Sequence, residues 1–256
     1  CTCSDSNYHS LQTQVVHRTN TFTLQGSWTY SRALDDFSGR GDGIGAVRDI
    51  QNRKLEKGPA DFDATHIVRG SFVYDLPFGQ GRTWANNIGR TLNQIIGGWQ
   101  INGLFDAATG NPLTITSGRR TLAYTPLAAE GNSTADFIGN ASSIRPTTDS
   151  QGRRILVTEE QRAQFSFPAA GSPGGTGRNA FRNPGFWNMN FSMYKNFRVT
   201  ERPKLQFRSE FFNVFNHAVM ENLANERKNL SSADFGRFVA QRNEPRIMQF
   251  ALKFEF

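Results

Sequence analysis

Apolar and polar residues alternate along this chain in segments of about ten, a period of 2 that predicts strands with two unlike faces. From Tyr8, Leu11, Thr13 and Val15 alternate with Ser10, Gln12 and Gln14. Next, Phe22, Leu24, Gly26, Trp28 and Tyr30 alternate with Thr23, Gln25, Ser27, Thr29 and Ser31. A third segment sets Val68, Gly70, Phe72, Tyr74 and Leu76 against Arg69, Ser71 and Asp75; a fourth sets Trp99, Ile101, Gly103 and Phe105 against Gln100, Asn102 and Asp106. Trp187, Met189, Phe191 and Met193 then oppose Asn188, Asn190, Ser192 and Tyr194, and Leu205, Phe207 and Phe211 oppose Gln206, Arg208 and Glu210. The chain closes on RIMQFALKFEF, where Met248, Phe250, Leu252, Phe254 and Phe256 alternate with Ile247, Gln249, Ala251, Lys253 and Glu255. The prediction is an all-β chain, an antiparallel meander of about seven long strands.

Two architectures give such alternation. A soluble sandwich buries one face of each strand against a second sheet. A membrane barrel turns the apolar face to lipid and the polar face to a wet lumen. Charges and amides at mid-strand favour the barrel, as do Trp and Tyr near strand ends, where an interfacial girdle places them. The connections favour it too. Strands one and two are joined by about His17–Asn20, and strands five and six by Arg198–Pro203. Ala33–Ala64, Ser117–Gly185 and His217–Glu244 are long, polar and rich in Gly, Asn and Ser. Barrels pair short periplasmic turns with long outer loops. Gly79–Gly98 is the exception, long on the short side, and its stretch NNIGRTLNQIIGG reads as a brief helix. If the last strand ends in the periplasm, the first of seven also runs inward and residue 1 lies outside. A complete bacterial barrel has an even strand number, so the expectation is the C-terminal part of a longer barrel.

Composition narrows the picture. The 256 residues are 37% hydrophobic and 20% charged, with 22 Phe and 24 Gly, which fits turn-rich β-structure rather than disorder. No apolar run approaches the roughly 18 residues of a transmembrane helix. The net charge is +7, but basic residues are scattered in runs of no more than two, so no nucleic-acid partner is expected. Cys1 and Cys3 are spaced too closely for ordinary disulfide geometry; they fit a chain that starts mid-protein, with a lipoprotein start as the alternative. Neither a phosphate-binding loop nor an HExxH motif is present, and His9, His17, His66 and His217 are too dispersed to read as a metal set. The Arg40–Asp42 triplet in Ser38–Gly45, with its spaced glycines, reads as a flexible outer loop before it reads as an adhesion or calcium-binding site. The Gly-rich stretch from Ala169 to Gly185 reads as turn geometry before it reads as an anion cradle. Arg208 and Glu210 form the most suggestive polar pair, on one face two residues apart; Arg69 and Asp75 are similar.

In chain order, the stretches SNYHSLQTQVVHR, GSWTYSRALDD, FDATHIVRGSFVYDLPFGQGR, IGGWQINGLFDAATGNPLTI, GRNAFRNPGFWNMNFSMYKNFRVTERPKLQFRSEFFNVFNHA and FGRFVAQRNEPRIMQFALKFEF cover most of the sequence. This ordered set resembles the C-terminal barrel of TonB-dependent outer-membrane receptors, specifically the Oar-like, Acidobacteria-type group. The resemblance implies that residues 1–256 are the C-terminal part of a transmembrane barrel of about 22 strands. The plug, the TonB-contacting segment and, often, a carboxypeptidase-regulatory-like domain belong N-terminal to it. It also implies a bacterial outer-membrane location and contact with outer-membrane lipid and lipopolysaccharide. Phe250, Leu252, Phe254 and Phe256 would face lipid and form the signal read by the barrel-assembly machinery. Arg69, Asp75, Asp106, Gln206, Arg208, Glu210, Gln249 and Lys253 would face the lumen. TonB would be reached only through the N-terminal part. No cofactor, metal or catalytic residue is expected. Energised transport is the leading function; a passive porin or a structural, adhesive surface protein is the alternative, and an outer-membrane enzyme has no spacing signal behind it.

Overall fold

A computed structural model describes residues 4–38, 48–49, 51–122, 133–198 and 204–255. Cys1, Cys3, the Arg40–Asp42 triplet, the Thr200–Pro203 turn and Phe256 therefore lie outside the described residues. Seven long strands form: β1 (Ser6–Arg18), β2 (Phe22–Asp35), β3 (His66–Asp75), β4 (Trp99–Ala108), β5 (Phe186–Arg198), β6 (Lys204–Phe212) and β7 (Ile247–Glu255). They pair antiparallel, each with its neighbours in sequence, in one sheet. All have the nine or more residues that a tilted strand needs to cross a bilayer. The predicted meander is present, and both edge strands are open.

The register keeps each strand's apolar set on one face. Leu24 lies opposite Phe72, Phe72 opposite Gly103, Gly103 opposite Phe191, Phe191 opposite Phe211 and Phe211 opposite Met248. A one-residue slip anywhere would break this row. Gly103 is the gap in it. A Cβ there would collide with the Phe72 ring, which lies across the bare backbone.

Among the described residues, no second sheet covers either face. Among the described residues, the substantial contacts of each long strand are with its hydrogen-bonded neighbours and, for β2, with the short Gly58–Pro59 strand. Ala33 is the one long-strand residue among the buried apolar side chains described, whereas Phe250, Leu252 and Phe254 are 62%, 70% and 58% exposed. A sandwich would bury those rings in a dry interior. This sheet leaves them bare and has no core of its own.

The buried core lies instead in the connections. Leu113, Ile115, Ala135, Leu156, Phe165, Phe181, Leu230 and Phe235 cluster with four further apolar side chains, all from segments 109–185 and 213–246. Short pairings order them: Pro112–Leu113 with Phe181–Arg182, Asp136–Phe137 with Phe165–Ser166, and Thr147–Thr148 with Arg154–Ile155. Segments expected as polar loops are thus a folded cap. Their bounds also differ from expectation. The strands end where the alternation does, at Ala108 and Phe212, so the connections begin before the expected Ser117 and His217. At Gly110 an added Cβ would meet the Asn183 carbonyl, so only a bare backbone allows this close crossing of the two chains.

At the opposite end, the expected helix forms as α1 (Arg90–Ile96). Gly98, at φ +71°, turns the chain from the helix into β4.

Candidate functional site: the polar face and its cap

All eight residues expected to line a lumen share the face opposite the aromatic row. Arg69 lies opposite Asp106, Asp75 opposite Gln100, Gln206 opposite Lys253 and Glu210 opposite Gln249, while Arg208 lies opposite Tyr194 and Ala251. The face is polar along its length but not purely so; Val73 and Leu104 are exposed on it.

The contacts differ from the expected pairs. Arg208 and Glu210 do not form an ion pair. Glu210 instead accepts a hydrogen bond from the Tyr194 hydroxyl at 3.1 Å. Arg208 Nε donates to Gln206 at 2.5 Å, with its guanidinium 5.2 Å from the Tyr194 ring. Arg69 pairs with Asp106 at 3.5 Å rather than with Asp75, which takes Gln100 at 2.8 Å and Arg82 at 3.7 Å. The Arg69–Asp106 pair is open to water and contributes at most about 1 kcal/mol. Gln206 also donates to Asn196 at 2.7 Å, so the face is a wet, hydrogen-bonded wall.

The cap packs against this polar face at the end of β2. At the end of β2 the polar-face residues Ser31, Ala33 and Asp35 are buried, while Arg32, pointing the other way, is exposed. Arg178 joins the layers. Its guanidinium pairs with the Asp35 carboxylate and with Asp61 at 3.3 Å, and its Nε donates to the Glu56 carbonyl at 2.6 Å. Arg182 pairs with Asp63 at 2.5 Å, and Asp63 also accepts from the Ala33 N–H at 2.7 Å. Asn179 Nδ2 donates to the Pro59 carbonyl and to Asp61. The Gly-rich stretch from Ala169 to Gly185 thus carries the arginines that fasten one connection to another. The third connection is sewn in by the backbone: Leu230 N–H to the Thr116 carbonyl, Thr116 N–H to the Lys228 carbonyl, and Leu156 N–H to the Gly236 carbonyl. Burial holds the Lys228 ammonium below the usual lysine range, against the opposing pull of Asp61. The Ser4 hydroxyl bonded to Asp36 holds that carboxyl below its usual range.

The apolar face ends in two aromatic rows. Trp28, Tyr30 and His66 cluster at the cap end, with Trp28 and His66 stacked at 6.0 Å; Trp187 stacks on His217 at 4.1 Å nearby. Tyr74, Phe22 and Trp99 mark the other end. Eight residues separate Trp99 from Ala107, the partner of Trp187. That is about 27 Å of strand, or roughly 20 Å along the normal of a barrel tilted near 40°, which matches the apolar band of such barrels.

Sequence reading missed Lys195. It sits on the apolar face opposite Trp99 and Phe207, yet is 2% exposed. Its ammonium donates to the Gly97 carbonyl and lies 5.4 Å and 5.2 Å from the Trp99 and Phe197 rings. The Trp-Gln start of β4 opposite a lone mid-strand lysine was the available signal.

No helix among the described residues is long and apolar enough to cross a membrane; in a barrel the strands cross. No curated protein and no solved structure matches the chain at a significant level. The sequence model of one family, described as an outer membrane beta barrel domain, matches residues 1–249. An antiparallel sheet with one bare apolar face between two aromatic rows, a polar face opposite and a match over nearly the whole chain lead to one assignment: the chain belongs to the outer membrane beta barrel domain family and resides in the bacterial outer membrane.

Proposed function

We propose that this chain is the barrel segment of an energised outer-membrane receptor, of the TonB-dependent, Oar-like kind, that takes a large or scarce substrate from outside. The observation that carries the reading is the folded cap packed on the end of the polar face. Two connections share a core; Arg178 ties it to Asp35 of β2, and Arg178 and Arg182 tie it to Asp61 and Asp63 of the β2–β3 connection. A surface of that size suits recognition before transport, whereas free diffusion needs an open mouth. Arg69, Asp75, Asp106, Gln206, Arg208, Glu210, Gln249 and Lys253 would then line the path, or hold a plug supplied N-terminal to this chain. Phe250, Leu252 and Phe254 would face lipid and serve the barrel-assembly machinery. Coupling to TonB would run through the N-terminal part, and the strands themselves carry no catalytic role.

The intact protein in a planar bilayer tests this. A plugged receptor is expected to pass no steady current, and uptake of its ligand by cells is expected to stop when the proton gradient collapses. A steady ohmic conductance together with gradient-independent uptake would instead establish a passive porin.

A further inference from the structure

We infer that the connection between β3 and β4 is a membrane foot, with α1 lying on the outer side of the barrel wall and its apolar stripe seated in the periplasmic leaflet. Barrels keep their short-turn end in the periplasm, and α1 lies at that end. Its apolar residues Leu92, Ile95 and Ile96 fall at positions i, i+3 and i+4, on one side of the helix. In a soluble fold that side would be buried. Here Leu92 and Ile95 are 49% and 62% exposed.

Two contacts decide which side of the wall the helix occupies. Trp99 Nε1 donates to the Ile95 carbonyl at 2.9 Å, and the Lys195 ammonium donates to the Gly97 carbonyl. Trp99 and Lys195 face each other on the apolar face of the sheet. The last turn of α1 is therefore moored to the lipid side of the wall, beside the lower aromatic row. Asn93 Oδ1, on another side of the helix, accepts from the Gln80 N–H at 2.7 Å and holds α1 to its own turn.

The occupant follows from position and charge. β3 and β4 are each hydrogen-bonded on both sides, so no further strand can arrive there. Anything held in the lumen lies across the wall. Segment 76–98 contains no acidic residue, and with Arg82 paired to Asp75 on the polar face it is Arg90 that brings positive charge to the helix, which complements anionic phospholipid headgroups. The exposed stripe is continuous with a face already in lipid, and an amphipathic helix at that level lies in the headgroup–acyl boundary.

The test uses the intact protein in vesicles of phosphatidylethanolamine and phosphatidylglycerol. An environment-sensitive fluorophore is placed at Ile95→Cys, Leu92→Cys or Arg90→Cys in a cysteine-free background, with folding checked by heat-resistant migration. Labels at Ile95 and Leu92 are expected to be quenched by phospholipid carrying a nitroxide on a shallow acyl carbon. Aqueous iodide should quench them several-fold less than the label at Arg90, on the opposite side of the helix. Equal iodide quenching at all three positions overturns the inference. So does protection from iodide without quenching by the nitroxide lipid, which would mean a protein cover. Wild-type protein irradiated with a photoreactive phospholipid supplies a reading free of substitutions. Adducts are expected within residues 88–96, and their absence while strand residues of the apolar face react also overturns it.

Discussion

Phe191→Arg is the sharpest test of which face meets lipid. Phe191 lies in β5, four residues from Trp187 at one aromatic row and four from Lys195, opposite Trp99, at the other. Four residues span about 14 Å of strand, or roughly 10 Å along the normal of a tilted barrel. The side chain is therefore near the bilayer midplane, where an arginine costs about 2–4 kcal/mol. The substitution also removes a ring 6.3 Å from Phe211, a pair contributing about 0.5–1.5 kcal/mol. The expected loss is roughly 3–5 kcal/mol. Ser192→Arg is the control, one residue along and on the other face. Its hydroxyl accepts one long hydrogen bond, from Asn102 at 3.3 Å, so the loss is about 1 kcal/mol. The difference corresponds to on the order of a hundredfold in the folded-to-unfolded ratio. The assay follows each intact variant into lipid vesicles across a urea series, scoring heat-resistant migration on gels. Equal loss in the two variants, or a greater loss for Ser192→Arg, would refute the face assignment and with it the depth scale built on the tryptophan rows.

Other predictions follow from the same geometry. On the closing strand, Phe250→Arg, which also breaks ring contacts to Phe207 and Phe211, should impair insertion more than its neighbour Gln249→Arg; the reverse order in the same vesicle assay would sink the reading of β7. Trypsin added to intact cells should cut after Arg153 or Arg154, in an exposed cap turn, and spare Arg90 at the periplasmic end; cleavage at Arg90 alone would invert the orientation. Arg178→Ala should open the cap, since stranding one partner of a buried pair costs roughly 3–5 kcal/mol. Peptide mapping should then show new trypsin cleavage after Arg182 while strand insertion stays unchanged, and an unaltered map would show that the pair does not hold the cap. Lys228 is lowered in the folded cap by burial, so it costs stability at neutral pH; that cost is relieved as pH rises from its folded value toward the unfolded value near ~10.4. Cap unfolding should become harder across that alkaline window in the native protein and less pH-dependent in Lys228→Met; identical slopes would exclude Lys228 as the cause.

The sequence by itself determined the strands, their order and their two faces. Strand periodicity is local: residues i and i+2 share a face whatever the rest of the chain does, so Leu24, Trp28, Phe191 and Phe250 announce a side without knowledge of their partners. Connection length is local too, so the alternation of short turns with long segments and the helix at Arg90–Ile96 could be read directly. Only the tertiary structure decided what the long segments do. Leu113, Phe181 and Leu230 sit among polar residues with no period, and their shared core exists because chain crossings at Gly110 and Asn183 bring distant segments together. Partner choice was likewise invisible. Glu210 binds Tyr194 across the strand pair and Arg178 binds Asp35 across loops, whereas Arg208 takes Gln206 on its own strand, so the choice among neighbours within reach is made by packing rather than by spacing. Lys195 shows the same limit most plainly. On the pattern it is a charge on an apolar face, and what makes it tolerable is the Gly97 carbonyl, 98 residues away in sequence and a hydrogen bond away in space.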